Sequence, residues 1–234
     1  MILRTLSMCA LVATAAFSQD SGPGKAALHQ RVGEIKNSIA KNQAQLKQYA
    51  WTETTQISLK GEVKKVDQNA CSYGPDGKVQ KTPIGAAPPP AESSKGRRGK
   101  IKGKIVANKV DELKEYMDRV GSLVRRYIPP DAQTIQASFQ AGKAELNPGL
   151  GAVVFSDYAK PGDKVTLTFD SVTKKLRSFA VAIYLDEPKD TVTVNASFSS
   201  LADGTNFVQE SILDAKAKQI QVKTTNSGHH KAGG

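Results

Sequence analysis

Apolar and polar residues alternate along three late stretches of the chain. Val165, Leu167 and Phe169 share one side, with Thr166 and Thr168 opposite. Phe179, Val181, Ile183 and Leu185 alternate with Ser178, Ala180, Ala182 and Tyr184. Val192, Val194, Ala196 and Phe198 alternate with Thr193, Asn195 and Ser197. Successive side chains of a strand point to opposite faces, so this rhythm predicts an antiparallel sheet with one apolar and one solvated face. Val208 and Ile212, then Ile220 and Val222, continue the apolar series. Turn residues separate the segments: Asp157 to Asp163 around Pro161-Gly162, Asp186-Glu187-Pro188, Ala202-Asp203-Gly204 and Asp214-Ala215-Lys216. Two earlier segments read the same way: Thr134 to Phe139, which alternates, and a short run ending Val153-Val154-Phe155.

The first half adds strands and helices. Residues 51–59 are rich in β-branched and aromatic side chains, which suit a pleated surface. After Gly61, a second extended run covers 62–73. Gly74-Pro75-Asp76-Gly77 turns the chain, and 78–84 returns, giving two or three antiparallel strands over 51–84. Residues 25–48 carry Leu28, Val32, Ile35, Ile39 and Leu46 at helical spacing, with Asn42 in the remaining position of the stripe. A second helix is expected over 108–128, with Asn108 as N-cap and Val110, Leu113, Met117, Val120, Val124 and Tyr127 as its apolar stripe. Pro129-Pro130 ends it. Between the strands and this helix lies a Pro-rich and then Gly/Lys/Arg-rich segment, 85–104, read as a flexible basic loop.

Residues 1–18 combine Arg4, an uncharged apolar run and a small-residue exit, the pattern of a secretory signal peptide with cleavage expected after Ser18. The run is too short to span a bilayer as a helix. Residues 19–24 read as a linker, 25–225 as one domain, and 226–234 as a disordered polar tail. A leader implies a periplasmic or extracellular destination. Lys and Arg outnumber Asp and Glu by 33 to 22, a balance that favours anionic partners. Cys71 is the one cysteine outside the leader, so no internal disulfide is expected and Cys71 reads as a small strand residue.

No catalytic constellation emerges. His29 on the first helix and His229-His230 in the tail are the only histidines, so a serine nucleophile lacks a base within the strand region. Asp186, Glu187 and Asp190 are turn residues. His229-His230 has no third ligand at metal-site spacing. Gly96, Gly99 and Gly103 are not followed by the Gly-Lys-Ser/Thr of a phosphate loop. The expectation is a non-enzyme without cofactor or metal.

The apolar sheet face must be covered. The fold class expected is α+β: a curved antiparallel sheet, or half-barrel, covered by two amphipathic helices. The leader, the N-terminal helix, Tyr49-Ala50-Trp51-Thr52-Glu53-Thr54 opening the first strand, the Pro75-Asp76-Gly77-Lys78 turn, the inserted helix, and Asp203-Gly204 before Phe207 in a late meander together resemble the half-barrel superfamily of periplasmic lipoprotein carriers and lipoprotein-sensing regulators (LolA, LolB and RseB types). The resemblance lies in element order over 25–225. It implies an incomplete barrel, a helical lid and an apolar groove taking acyl chains. The basic insertion at 85–104 departs from those carriers.

Two functions follow as expectations. The first is binding of an acyl chain or lipoprotein in an apolar groove, with Ile57, Phe155, Val181, Ile183, Val194 and Phe198 as lining residues. The second is attachment to an anionic lipid or envelope polymer through Lys95, Arg97, Arg98, Lys100, Lys102 and Lys104. Nucleic acid is not expected, since no aromatic platform interleaves the basic run.

Overall fold

The computed structural model describes residues 40–85, 97–128, 130–147, 149, 151–173 and 175–232. The expected leader, the linker, most of the first helix and Lys95 lie outside them. Helical residues 40–46 form the described part of α1. Then follow β1 (Tyr49–Leu59), β2 (Glu62–Tyr73), β3 (Val79–Pro83), α2 (Arg97–Val124) and α3 (Ala132–Gln140). The remaining strands are β4 (Ala144–Asn147), β5 (Ala152–Ser156), β6 (Lys164–Phe169), β7 (Leu176–Tyr184), β8 (Thr191–Ser200), β9 (Asn206–Ala215) and β10 (Ile220–Lys231). All ten strands make one antiparallel sheet in the order β3-β2-β1-β10-β9-β8-β7-β6-β5-β4. The sheet is open, with β3 and β4 at its edges, and the class is α+β.

The period-two segments fall on β6, β7 and β8 as expected, and their register keeps the apolar set on one face. Val165 lies opposite Val181, Val181 opposite Val194, and Val194 opposite Leu213. Leu213 in turn faces Val222, and Val222 faces Ile57. A β-bulge in β9 reverses one expectation. The register slips between Ser197 and Phe198, so Val208 meets Phe198 while Leu213 meets Val194. The extra residue carries the inward set from Val208 to Leu213 and Ala215. Ile212 therefore sits opposite Asn195 and Lys223 on the other face.

Three further readings are corrected. Thr134 to Phe139 is helical, not extended. Asp131 accepts bonds from the Thr134 amide (2.6 Å) and hydroxyl (2.7 Å) and so caps α3. The basic run from Arg97 to Lys104 opens α2 rather than lying in a loop, and Asn108 is inside the helix instead of capping it. Lys, Arg, Ile and Ala propagate a helix well, and Gly99 and Gly103 cost only about 1 kcal/mol each relative to alanine. The expected tail continues β10 through Lys231, because Glu53, Thr52, Ala50 and Tyr49 pair with Asn226, Ser227, His230 and Lys231.

Residues of α2 and of the apolar strand positions contribute to one core. Tyr116, Met117, Val120, Leu123, Val124 and Tyr127 form one buried cluster with Phe155, Val165, Phe179, Val181, Ile183, Val192, Val194, Leu213, Ala215, Ile220 and Val222. Val120, Tyr127, Val165 and Val192 have no exposed surface.

Candidate functional site

The six residues read as groove lining all come to the inward face. Phe155, Val181, Ile183 and Val194 are buried members of the cluster, and Ile57 and Phe198 are partly buried against it. Three side-chain links fasten α2 and its C-terminal turn to loops at the sheet margin. Tyr116 donates to Asp190 at 2.7 Å, Arg119 pairs with Asp186, and Tyr127 donates to Asp163 at 2.6 Å. The Tyr116 and Tyr127 hydroxyls hold their protons well above the usual phenol range. Burial is the main cause, and the accepting carboxylates add to it.

Asp163 organises one end of this face. Its carboxylate accepts from Tyr127 and from the amides of Tyr158, Ala159 (2.9 Å) and Lys160 (2.8 Å), closing the turn between β5 and β6. Tyr158 accepts from the Asp131 amide at 2.7 Å, which ties the α3 cap to the same corner. Its hydroxyl is pushed up to about 12 by burial.

Toward β3 the same face becomes polar. The alternation of β1 turns Tyr49, Trp51 and Glu53 inward, ahead of Ile57. Glu53 is buried and pairs with Lys81 of β3. Cys71 of β2 stands between Trp51 and Lys81 in the register, two residues along from Asn69, which faces Glu53. Burial, reinforced by the Glu53 charge, pushes the Cys71 thiol up to about 11, so it is held as the weakly nucleophilic thiol. The Trp51 indole donates to Asn226 at 3.1 Å, and His229 stacks on its ring at 5.9 Å between centroids. Phe207 also meets His229, with ring centroids 4.0 Å apart. None of Glu53, Lys81 and His229 was singled out on this face from the sequence. The available signal was Trp51-x-Glu53, which puts a carboxylate on the apolar side of an alternating strand.

Of the basic residues, Arg97, Arg98, Lys100, Lys102 and Lys104 occupy the first two turns of α2, a helix with no acid in its first turn. Among the described residues, no group of three or more His, Cys, Asp or Glu side chains gathers as metal ligands, and no helix is long and apolar enough to cross a membrane. Two open depressions lie among outward-facing strand residues, one around Thr166 and Thr168 and the other around Gln56 and Gln221.

Compared with protein-family models, with curated proteins and with solved structures, the chain matches none.

Proposed function

We propose that this chain is an extracytoplasmic, non-enzymatic binding protein. In this reading the sheet curves as an incomplete barrel, α2 is its lid, and an acyl chain, free or carried by a lipoprotein, takes the place of α2 on the apolar face. The observation that carries the reading is the apolar face running from β5 to β10 and to Ile57 of β1, whose buried cluster takes in one side of α2, with Ile135 and Phe139 of α3 at its margin. The element order resembling the half-barrel carriers supports it, and so does the leader-like sequence of residues 1–18.

Magnitudes allow the exchange. A buried apolar side chain is worth about 1.5–3 kcal/mol and a buried methylene about 0.8 kcal/mol. About ten methylenes therefore offset about four lid side chains. Lipid extracted from protein expressed with its own leader, identified by mass spectrometry, should include acyl species, and added palmitoyl lipopeptide should raise Tm. Joining Arg119→Cys to Asp186→Cys with a short bismaleimide, in a Cys71→Ser background, should block uptake. Absence of co-purified lipid together with an unchanged Tm rejects the proposal.

A second reading, attachment to anionic surfaces, rests on the five basic residues in the first turns of α2. Changing Arg97, Arg98, Lys100 and Lys102 to Ser should abolish co-sedimentation with phosphatidylglycerol vesicles at low salt. Unchanged sedimentation retires it.

A further inference from the structure

We infer that the first half of α2 is a docking surface for an acidic polysaccharide. The inference rests on the surface-attachment reading of the same basic residues and narrows its partner to a linear polymer. Helix period shows where α2 changes character. Leu113, Tyr116, Val120 and Leu123 follow one another by steps of three and four. Tyr116, Val120 and Leu123 are buried in the core cluster, and Leu113 packs against it. The same steps carried back toward the start of the helix fall on Lys109, Ile105, Lys102 and Arg98. The stripe that enters the core from Leu113 onward is therefore mainly cationic before it. An unpaired charge is not buried against apolar surface, so the apolar seat of α2 ends at Leu113. Val110, Asp111 and Glu112 are already exposed where the change begins.

Arg97, Arg98, Lys100, Lys102, Lys104 and Lys109 put six positive charges on about 18 Å of helix. No Asp or Glu occurs from 97 to 110, and Asp111, the first acid of the helix, pairs with Lys114 at 3.3 Å. Arg98 and Lys102 are like charges one turn apart, as are Lys100 and Lys104, an arrangement that weakens a helix. A chain of closely spaced anions relieves that repulsion along the whole run.

The pattern selects among anionic partners. A helix that lies in a bilayer surface needs one apolar face opposite its cations. Here Ile101 and Ile105 fall on one side of the helix and Val106 and Val110 on another, with Lys102 and Lys109 between them. Single-stranded nucleic acid is held by stacking on aromatic rings, and no aromatic residue occurs from 97 to 115. An acidic polysaccharide needs neither feature. Closely spaced cations along one extended element are sufficient for it.

The test titrates the chain without residues 1–18 with four probes: heparin, polygalacturonate, phosphatidylglycerol vesicles and oligothymidylate. Both polysaccharides should bind more tightly than the other two. With about four charges engaged, heparin affinity should fall about fiftyfold between roughly 50 and 200 mM salt. Heparin should also slow amide hydrogen exchange from Arg98 to Asn108. Arg98→Gln, Lys102→Gln and Lys109→Gln together should weaken heparin about tenfold, the scale of three exposed charge pairs, and leave Tm unchanged. Lys102→Arg with Lys109→Arg should keep the affinity. Binding to vesicles but to neither polysaccharide overturns the inference and leaves the attachment reading standing. Binding to none of the four retires both. Tighter binding of oligothymidylate, full affinity in the triple Gln variant, or unchanged exchange from Arg98 to Asn108 overturns the inference alone.

Discussion

Asp163 is 2% exposed, yet its carboxylate is matched by four donors. Removing it strands a buried tyrosine hydroxyl and three amides, each costing about 1–3 kcal/mol when unpaired. Water reaching part of the turn reduces that sum, so Asp163→Ala should destabilise the fold by about 3 kcal/mol or more. Tyr127→Phe removes one bond to a charged acceptor and should cost about 1.5–2 kcal/mol. Urea midpoints measure both, and an unchanged midpoint in Asp163→Ala would contradict the network. The turn itself was legible in Pro161-Gly162. The identity of the inward aspartate was not, because its partner Tyr127 lies 36 residues earlier and only the packed fold brings them together.

His229 makes a second residue-scale case. Burial beside Trp51 and Phe207, with the His230 charge secondary, holds its pKa below the ordinary imidazole range. The unfolded chain then takes up a proton more readily than the folded one. Stability contributed by the neutral ring is fully present above about pH 6.5 and falls as pH drops through and below that value. Urea midpoints should therefore decrease between pH 7.5 and pH 5, and His229→Gln should flatten that slope. A slope identical in wild type and variant counts against the stack.

At the scale of elements, α3 shows where local pattern stops deciding. Ile135 and Phe139 fit a two-residue alternation, but they are also four apart, so they share one helix face as well. Over so short a segment both periods are satisfied. Asp131 decides: its side chain bonds Thr134, and Phe139 then packs edge-on against Phe155 at 5.4 Å. Asp131→Ala should cost about 1 kcal/mol, the usual worth of such a cap. The Thr134 hydroxyl and amide hold the Asp131 carboxyl below its ordinary value. Its contribution is present above the unfolded carboxyl value near 4 and is lost as pH falls through the lower folded value. The gap between wild type and Asp131→Ala should therefore close in acid, and a gap that persists at pH 2 would contradict the cap. The start of α2 was hidden for a related reason. Glycines among lysines and arginines read as loop, although the same cations are good helix formers once a long apolar stripe downstream has nucleated the helix.

For the molecule as a whole, the decisive feature is how the sheet is joined. β1, β2 and β3 come from residues 49–83, and β4 to β9 from 144–215. In the strand order only β10 lies between these groups, pairing with β1 on one side and β9 on the other. β10 outruns β9: the β9 pairing stops at Thr225, whereas β1 continues along Asn226 to Lys231. Beyond Thr225 the backbone of β10 therefore pairs with β1 alone, while its side chains bridge the two groups: Asn226 accepts from Trp51 and donates to the Val208 carbonyl at 2.8 Å, and the His229 ring meets both Trp51 and Phe207. Period-two alternation exposed the strands to sequence reading, but not this closure, since Asn226 to Lys231 is too polar to declare itself extended. Such a joint closes late in folding, because it links distant ends of the chain. Ending the chain at Thr225 should leave β4 to β9 and α2 protected against hydrogen exchange, while amides of Tyr49 to Pro83 exchange faster and β2–β3 becomes the first site cut by trypsin. Uniform loss of protection would mean that the two groups fold as one cooperative unit. Unchanged protection at Tyr49 to Glu53 would mean that the end of β10 contributes nothing to holding them.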